Sequence, residues 1–303
     1  MIRNKGIFLN KTSTYFPGKE PNSQQTYSWL LWLATKLNQN KTKEFLIEKI
    51  QPDWLENKSQ KRLYCILIGT ISGLLIALIY ATTTGLIGAI IGGVTYGLIL
   101  GRTPEIYLIE KMKFSINFAK FRLTESLIEA IWWGIVYGVI DAIICWFIWE
   151  IPGLIIGMVQ VVIWGVVEGI IWGCWEPKFR KENTHNQGIK ESAINAIIFT
   201  FIGGGLWLLF YMLYLWVVRE PFEPLSIALD TISNGLFFGI YVGGFTCLQH
   251  FILRVILVAN GAMPWNYAKF LNYATKQGFL EREGGRFWFK YDLLEKFEEA
   301  SIK

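Results

Sequence analysis

The residues with chemistry to offer are few, and they sit in apolar surroundings. Asp141, Glu168 and Asp230, with the uncharged Gln160 and Asn234, stand inside long apolar runs of this 303-residue chain. An ionisable side chain at the centre of a bilayer costs about 3 kcal/mol on insertion scales, so such residues mark a polar contact or a water path. Asp230 and Asn234 are four apart and share one face of a helix. No Lys or Arg lies at comparable depth to neutralise the acids. Two readings follow: hydrogen bonding between helices, or the lining of an aqueous or ion path.

Catalytic constellations are missing. There is no GxxxxGK[ST] loop, and Gly18-Lys19 runs on into Glu20. HExxH, GxSxG and Cys/His metal spacings do not occur. Two histidines leave little for acid–base chemistry. His250, beside Gln249 and near Arg254, reads as a satisfied helix-end residue. Cys65, Cys145, Cys174 and Cys247 form no CxxC pair and read as packing residues. The expectation is a protein that is not an enzyme and holds no cofactor or metal.

Small residues four apart are the strongest local pattern. They include Gly69/Gly73, Gly88/Gly92, Gly93/Gly97/Gly101, Gly134/Gly138, Gly153/Gly157, Gly165/Gly169/Gly173 and Gly235/Gly239/Gly243. Inside lipid no hydrophobic drive brings helices together, and glycine rows let backbones approach closely. The rows serve packing within the chain, self-association into an oligomer with a pore as its concrete form, or both.

The elements that carry these residues are six apolar runs at 63–80, 83–100, 128–149, 152–174, 193–218 and 225–258. Each reaches the roughly 20 residues a helix needs to cross the hydrocarbon core. Short connections make three hairpins of them. A trace of repetition, Glu125-Ser126-Leu127-Ile128 against Glu191-Ser192-Ala193-Ile194, hints at hairpin units. Eleven Lys/Arg precede the first run, five lie between the second and third, and four between the fourth and fifth. The other connections hold only Arg219. Cytoplasmic loops carry the Lys/Arg excess, so both termini are predicted to be cytoplasmic. The net charge of +5 then reports topology and contact with anionic lipid, not nucleic-acid binding.

Residues 1–25 read as a polar arm without a signal-peptide core. From Thr26, Trp29, Leu30, Leu33 and Leu37 recur at helical spacing. Phe45, Leu46, Ile47 and Ile50 predict a second short helix ending before Pro52. Between the second and third runs, 105–122 reads as a basic amphipathic piece lying along the membrane surface. After the last run, a helix from Pro264 to about Gln277, a hairpin about Gly284-Gly285 and a last helix capped by Asp292 close the chain. The segments 26–62 and 259–303 are predicted to pair as one small cytosolic winged-helix-like α+β domain, the Trp29/Leu33/Leu37 face against Trp265/Ala268/Leu271. The fold class is therefore mainly α: six transmembrane helices as three hairpins, with a small split soluble domain.

Two soluble stretches carry a resemblance. Trp29-Leu30-Leu31-Trp32-Leu33-Ala34 followed by Phe45-Leu46-Ile47-Glu48-Lys49-Ile50-Gln51-Pro52-Asp53-Trp54-Leu55 resembles the segment after the ATPase core of membrane-spanning bacterial NACHT-type STAND NTPases. Pro264-Trp265-Asn266-Tyr267-Ala268-Lys269-Phe270-Leu271-Asn272-Tyr273-Ala274, with Gly284-Gly285-Arg286-Phe287-Trp288-Phe289, resembles their C-terminal stretch, and Asn186–Ser192 their fourth-to-fifth-span junction. The chain departs from the family pattern at Tyr291, where a His is usual, and in lacking the nucleotide-binding half. The resemblance implies a bacterial inner or internal membrane and a role beside a signal-sensing NTPase, often in antiphage defence. The expected function is a membrane effector or anchor controlled through its cytosolic domain, either homo-oligomeric or joined to a regulatory protein. A structural subunit of a larger membrane complex is the alternative, and a secondary transporter ranks last.

Overall fold

A computed structural model describes residues 21–102, 105–107, 112–114, 175–177, 186–218 and 222–290, with single helical positions between 128 and 143. The described chain is mainly helical with two small antiparallel sheets. It divides into two compact units, one of residues 1–60, 181–187 and 251–303, the other of 61–180 and 188–250.

The first unit joins segments from both ends of the chain. Helix α1, Ser23–Gln39, starts three residues before its apolar repeat, because Asn22 and Gln25 form a capping box in a polar first turn. Its Leu30, Leu33, Ala34 and Leu37 are buried along one face. The expected second short helix is replaced by an extended stretch and two 3-10 turns, Ile47–Lys49 and Pro52–Trp54. The cause is tertiary. Phe45 is drawn into a two-way backbone bridge with Phe287, N–H to carbonyl, at 2.7 and 3.0 Å. A residue paired this way cannot also close a helical turn.

From the other end of the chain come α6, Tyr267–Lys276, and the hairpin of β3, Leu280–Glu283, with β4, Arg286–Phe289. The Asn266 side chain accepts from the Lys269 N–H and caps α6. Gly284, at φ 62, makes the tight turn that only glycine takes without strain. The strand order is Phe45, β4, β3. Phe45 packs against Trp54 and Tyr267, Trp29 stands edge-on to Phe270, and Arg286 pairs with Glu44 at 3.1 Å. One expected contact is corrected. Tyr267, Phe270, Leu271 and Ala274 turn inward at helical spacing, whereas Trp265 is exposed. Trp265 precedes the helix cap and lies off the face that α1 covers.

The second unit is built from apolar helices. Three helices of the described chain are long and apolar enough to cross a membrane: Lys58–Leu100, Gln187–Leu213 and Pro224–Ala259. This is compatible with a place in a membrane. The first, α2, is broken at Gly85, whose φ of 71 and ψ of −167 reverse the chain. The break falls one residue beyond the expected tip at Thr82–Thr84. The two arms then run antiparallel, Gly69 against Gly97 and Gly101, Gly73 against Gly93 and Gly97. Helix α3, Gln187–Val218, packs antiparallel against α4, Pro224–Gly239, and its continuation α5, Phe245–Ala259. Gly204 meets Gly235, Thr200 meets Gly235 and Gly239, and Ser192 meets Gly243. Between α4 and α5 lies one π-turn, Ile240–Gly244. Every fourth residue of an α-helix drifts by about 40° around the axis. One wider turn offsets that drift and keeps Gly235, Gly239 and Gly243 all facing α3.

Tyr80, Tyr96, Phe199, Phe237 and Phe238 tie the two helix pairs into one core. Outward-facing Leu78, Leu86, Phe201, Leu209, Leu225 and Ile232 are exposed. Where 105–122 was expected to be an amphipathic piece, Met112–Phe114 forms β1 and pairs antiparallel with β2, Trp175–Pro177. Strand pairing at these three positions removes them from any helix. The arm 1–20, the closing segment from Tyr291 and nearly all of 128–149 and 152–174 lie outside the described residues.

The glycine seams have a direct test. A Cβ at Gly73 would stand 2.7 Å from the Gly93 carbonyl oxygen, and at Gly97 2.8 Å from that of Gly69, both rigid backbone. Gly97→Val is expected to cost about 1–3 kcal/mol or more through overpacking. It should lower the thermal midpoint in mild detergent, while Gly205→Ala, with open space around it, leaves that midpoint unchanged.

Candidate functional site

The polar residues of the helical unit gather in two layers. The first lies where the tip of α2 meets α4. The Thr82 and Ser233 hydroxyls share a hydrogen bond of 2.6 Å, and Thr83 and Thr84 donate to the Tyr80 carbonyl. Asp230 is the seventh residue of α4, so its Cα lies about 9 Å along the axis from Pro224. Asn234 shares its face, but the amide of Asn234 donates to the Asp230 backbone carbonyl at 2.8 Å and not to the carboxylate. Asp230 is half-buried, and no described residue donates to its carboxylate. Asp141, Gln160 and Glu168 lie outside the described residues, as do Gly134, Gly138, Gly165 and Gly169. Of the expected glycines, Gly93, Gly97, Gly235, Gly239 and Gly243 all face backbone within this chain.

Sequence reasoning read Gln249 and His250 only as helix-end residues and passed over the rest of the second layer. Tyr64, Ser192, Asn195, Thr246, Gln249 and His250 are all buried, at the opposite end of the helices from Asp230. Thr246 donates to the Tyr107 carbonyl at 2.9 Å and Gln249 to the Glu105 carbonyl at 3.2 Å. Thr246, Gln249 and His250 recur three and four apart, so α5 presents them on one side. That spacing was visible in the chain, but nothing in the chain announced a strap to receive them. The strap, residues 105–107, buries Ile106 and leaves Tyr107 outside, where its hydroxyl donates to the Glu105 carboxylate. Hydrogen bonding to that carboxylate raises the Tyr107 pKa above its ordinary value. Cys247 donates to the Ile189 carbonyl. The Tyr64 hydroxyl faces Gln249 without reaching hydrogen-bond geometry, and the Nε2 of His250 has no described partner. His250 was expected to be a satisfied helix end; among the described residues its buried Nε2 finds no partner.

No three His, Cys, Asp or Glu among the described residues could share a metal ion. The second layer supplies side-chain donors to backbone carbonyls of an irregular segment, which low-dielectric surroundings would otherwise leave costly. Its work is to hold the strap on α5.

The unit built from both ends of the chain has polar contacts of its own. Its half-buried Trp288 donates to Glu281 at 2.8 Å, and Arg282 reaches Asn272 at 2.8 Å, so the β3–β4 hairpin is fastened to α6 along one edge. Tyr267 is wholly buried, and its hydroxyl has no described partner. Burial pushes that hydroxyl's pKa far up, so it stays neutral.

Comparison with protein-family models, with curated proteins and with solved structures finds no match to this chain.

An unpaired buried hydroxyl costs about 1–3 kcal/mol of desolvation. Tyr267→Phe is therefore expected to leave the soluble unit as stable as the wild type or more so. Phe287→Ala, which empties the core beneath the Phe45 bridge, should cost about 3–5 kcal/mol. Chemical denaturation followed by tryptophan fluorescence would rank the two; a Tyr267→Phe protein less stable than wild type would reveal a partner for the hydroxyl.

Proposed function

We propose that the protein is a non-enzymatic integral membrane anchor that presents a split cytosolic module to a regulatory partner. One observation carries this reading. Phe45 precedes all the membrane-length helices and Phe287 follows them, yet the two pair backbone to backbone. The helical unit is thus an insertion in the sequence of one folded soluble module, which it tethers to the membrane.

The order helix α1, extended Phe45, helix α6, strand β3, strand β4, with the Phe45 position beside β4, supports a winged-helix-like reading of that module. Six helices in three hairpins rest on the apolar runs of the sequence, and both cytoplasmic termini on the Lys/Arg distribution. The partner class is a STAND-type NTPase or a similar switch protein, on the resemblance of the module's two segments, and defence signalling is the corresponding setting. Gly69, Gly73, Gly93, Gly97, Gly235, Gly239 and Gly243 already meet backbone or side chains of their own chain. This favours an anchor over an oligomeric pore, since those seams are not free to join subunits.

The mass of the particle in a lipid nanodisc, followed by conductance in planar bilayers, separates the two. An anchor gives a single chain of 34.9 kDa and no conductance. A defined homo-oligomer that conducts, with conductance lost in Asp230→Ala, replaces the anchor by a pore.

A further inference from the structure

The helix Pro224–Ala259 is too long for its task as a span alone. At 1.5 Å per residue its 36 residues extend about 54 Å, whereas the hydrocarbon core takes up about 30 Å, or 20 residues. A helix entering at Pro224 therefore leaves the core near residue 244 and passes the headgroup layer over the next several residues, further along when tilted. Its last turns, from about Phe251, emerge at the lipid–water boundary.

The side chains found there match that depth. Phe251, Val255 and Trp265 are 55, 37 and 53 % exposed, high values for apolar residues. The Phe251 and Trp265 rings meet edge-on with centroids 6.1 Å apart. The Arg254 guanidinium lies over the Trp265 ring, 5.4 Å from its centroid, and donates to the Trp265 backbone carbonyl. No described carboxylate pairs with Arg254, and its Nε–H has no described partner. An exposed indole, an arginine with spare N–H donors and two outward apolar side chains are the groups that settle at the headgroup level. The rings take the acyl–glycerol boundary and the guanidinium takes phosphate oxygens.

We propose that Trp265, Arg254, Phe251 and Val255 form a lipid-headgroup anchor where the last membrane helix gives way to the soluble module, with Arg254 binding lipid phosphate. This rests on the reading that the helical unit spans a bilayer. The anchor sets the depth at which α5 emerges, and the carbonyl bond from Arg254 to Trp265 couples that depth to the start of α6 two residues later.

The test places a nitroxide at Val255→Cys in full-length protein whose four native cysteines are replaced, in vesicles of phosphatidylcholine and phosphatidylglycerol. Power saturation compares access of oxygen with access of a water-soluble nickel chelate. Ile232→Cys serves as the mid-span control and Lys276→Cys as the aqueous one. Val255→Cys is expected to read at headgroup depth, between the two controls. Adding Trp265→Ser, or Arg254→Gln where the first variant fails to fold, should raise its nickel access several-fold. Nickel access equal to that of Lys276→Cys overturns the anchor. So does shielding from both reagents, which would mean a protein partner or second copy covers the patch, and so does indifference to both substitutions. Should Ile232→Cys itself read as aqueous, the membrane reading fails first, and the two failures are distinguishable.

Discussion

Close backbone approach is the constraint on which the helical unit depends. In a lipid-like environment, association draws on van der Waals contact and weak polar contacts, which decay steeply with separation. Gly73 and Gly97 let the two arms of α2 come so near that any side chain would overlap a carbonyl oxygen. Gly235, Gly239 and Gly243 do the same for α4 and α5 against α3. The π-turn at Ile240–Gly244 belongs to this arrangement, because it keeps the glycine row in line across a helix that would otherwise rotate away. The aromatic cluster of Tyr80, Tyr96, Phe237 and Phe238 fills the space where the two pairs meet, so glycine seams and aromatic core are complementary parts of one packing solution.

The soluble unit is organised by a different force. Its core is aromatic and aliphatic, and burial from water drives it. Segments more than 200 residues apart in sequence supply its two sides, so loop closure is unfavourable for a free chain. A prefolded helical hairpin between them shortens the effective separation. Folding of one unit therefore assists the other through the entropy of the connection, even though each keeps its own core.

Polar groups follow the same division. Thr82 and Ser233 satisfy one another, while Thr246 and Gln249 satisfy backbone carbonyls of the strap at residues 105–107. These bonds tie irregular chain to regular helix where water is scarce.

Several features were determined by the sequence alone. The long apolar runs, the glycine rows, the Gly284 turn and the inward face of α1 are all local, set by periodicity and by residues with special backbone freedom. Only the tertiary structure decided which partner each row met. Glycine spacing is the same whether the facing helix belongs to this chain or another, and only the facing backbone settles it. The Phe45 stretch reads as helix locally and becomes extended because Phe287 supplies a better set of hydrogen bonds. Trp265 reads as part of an inward stripe and turns out because the cap at Asn266 starts the helix after it. Thr246 and Gln249 gain their meaning from a strap some 140 residues earlier in the chain. Contacts of that range leave no periodic trace, and for that reason folding alone revealed them.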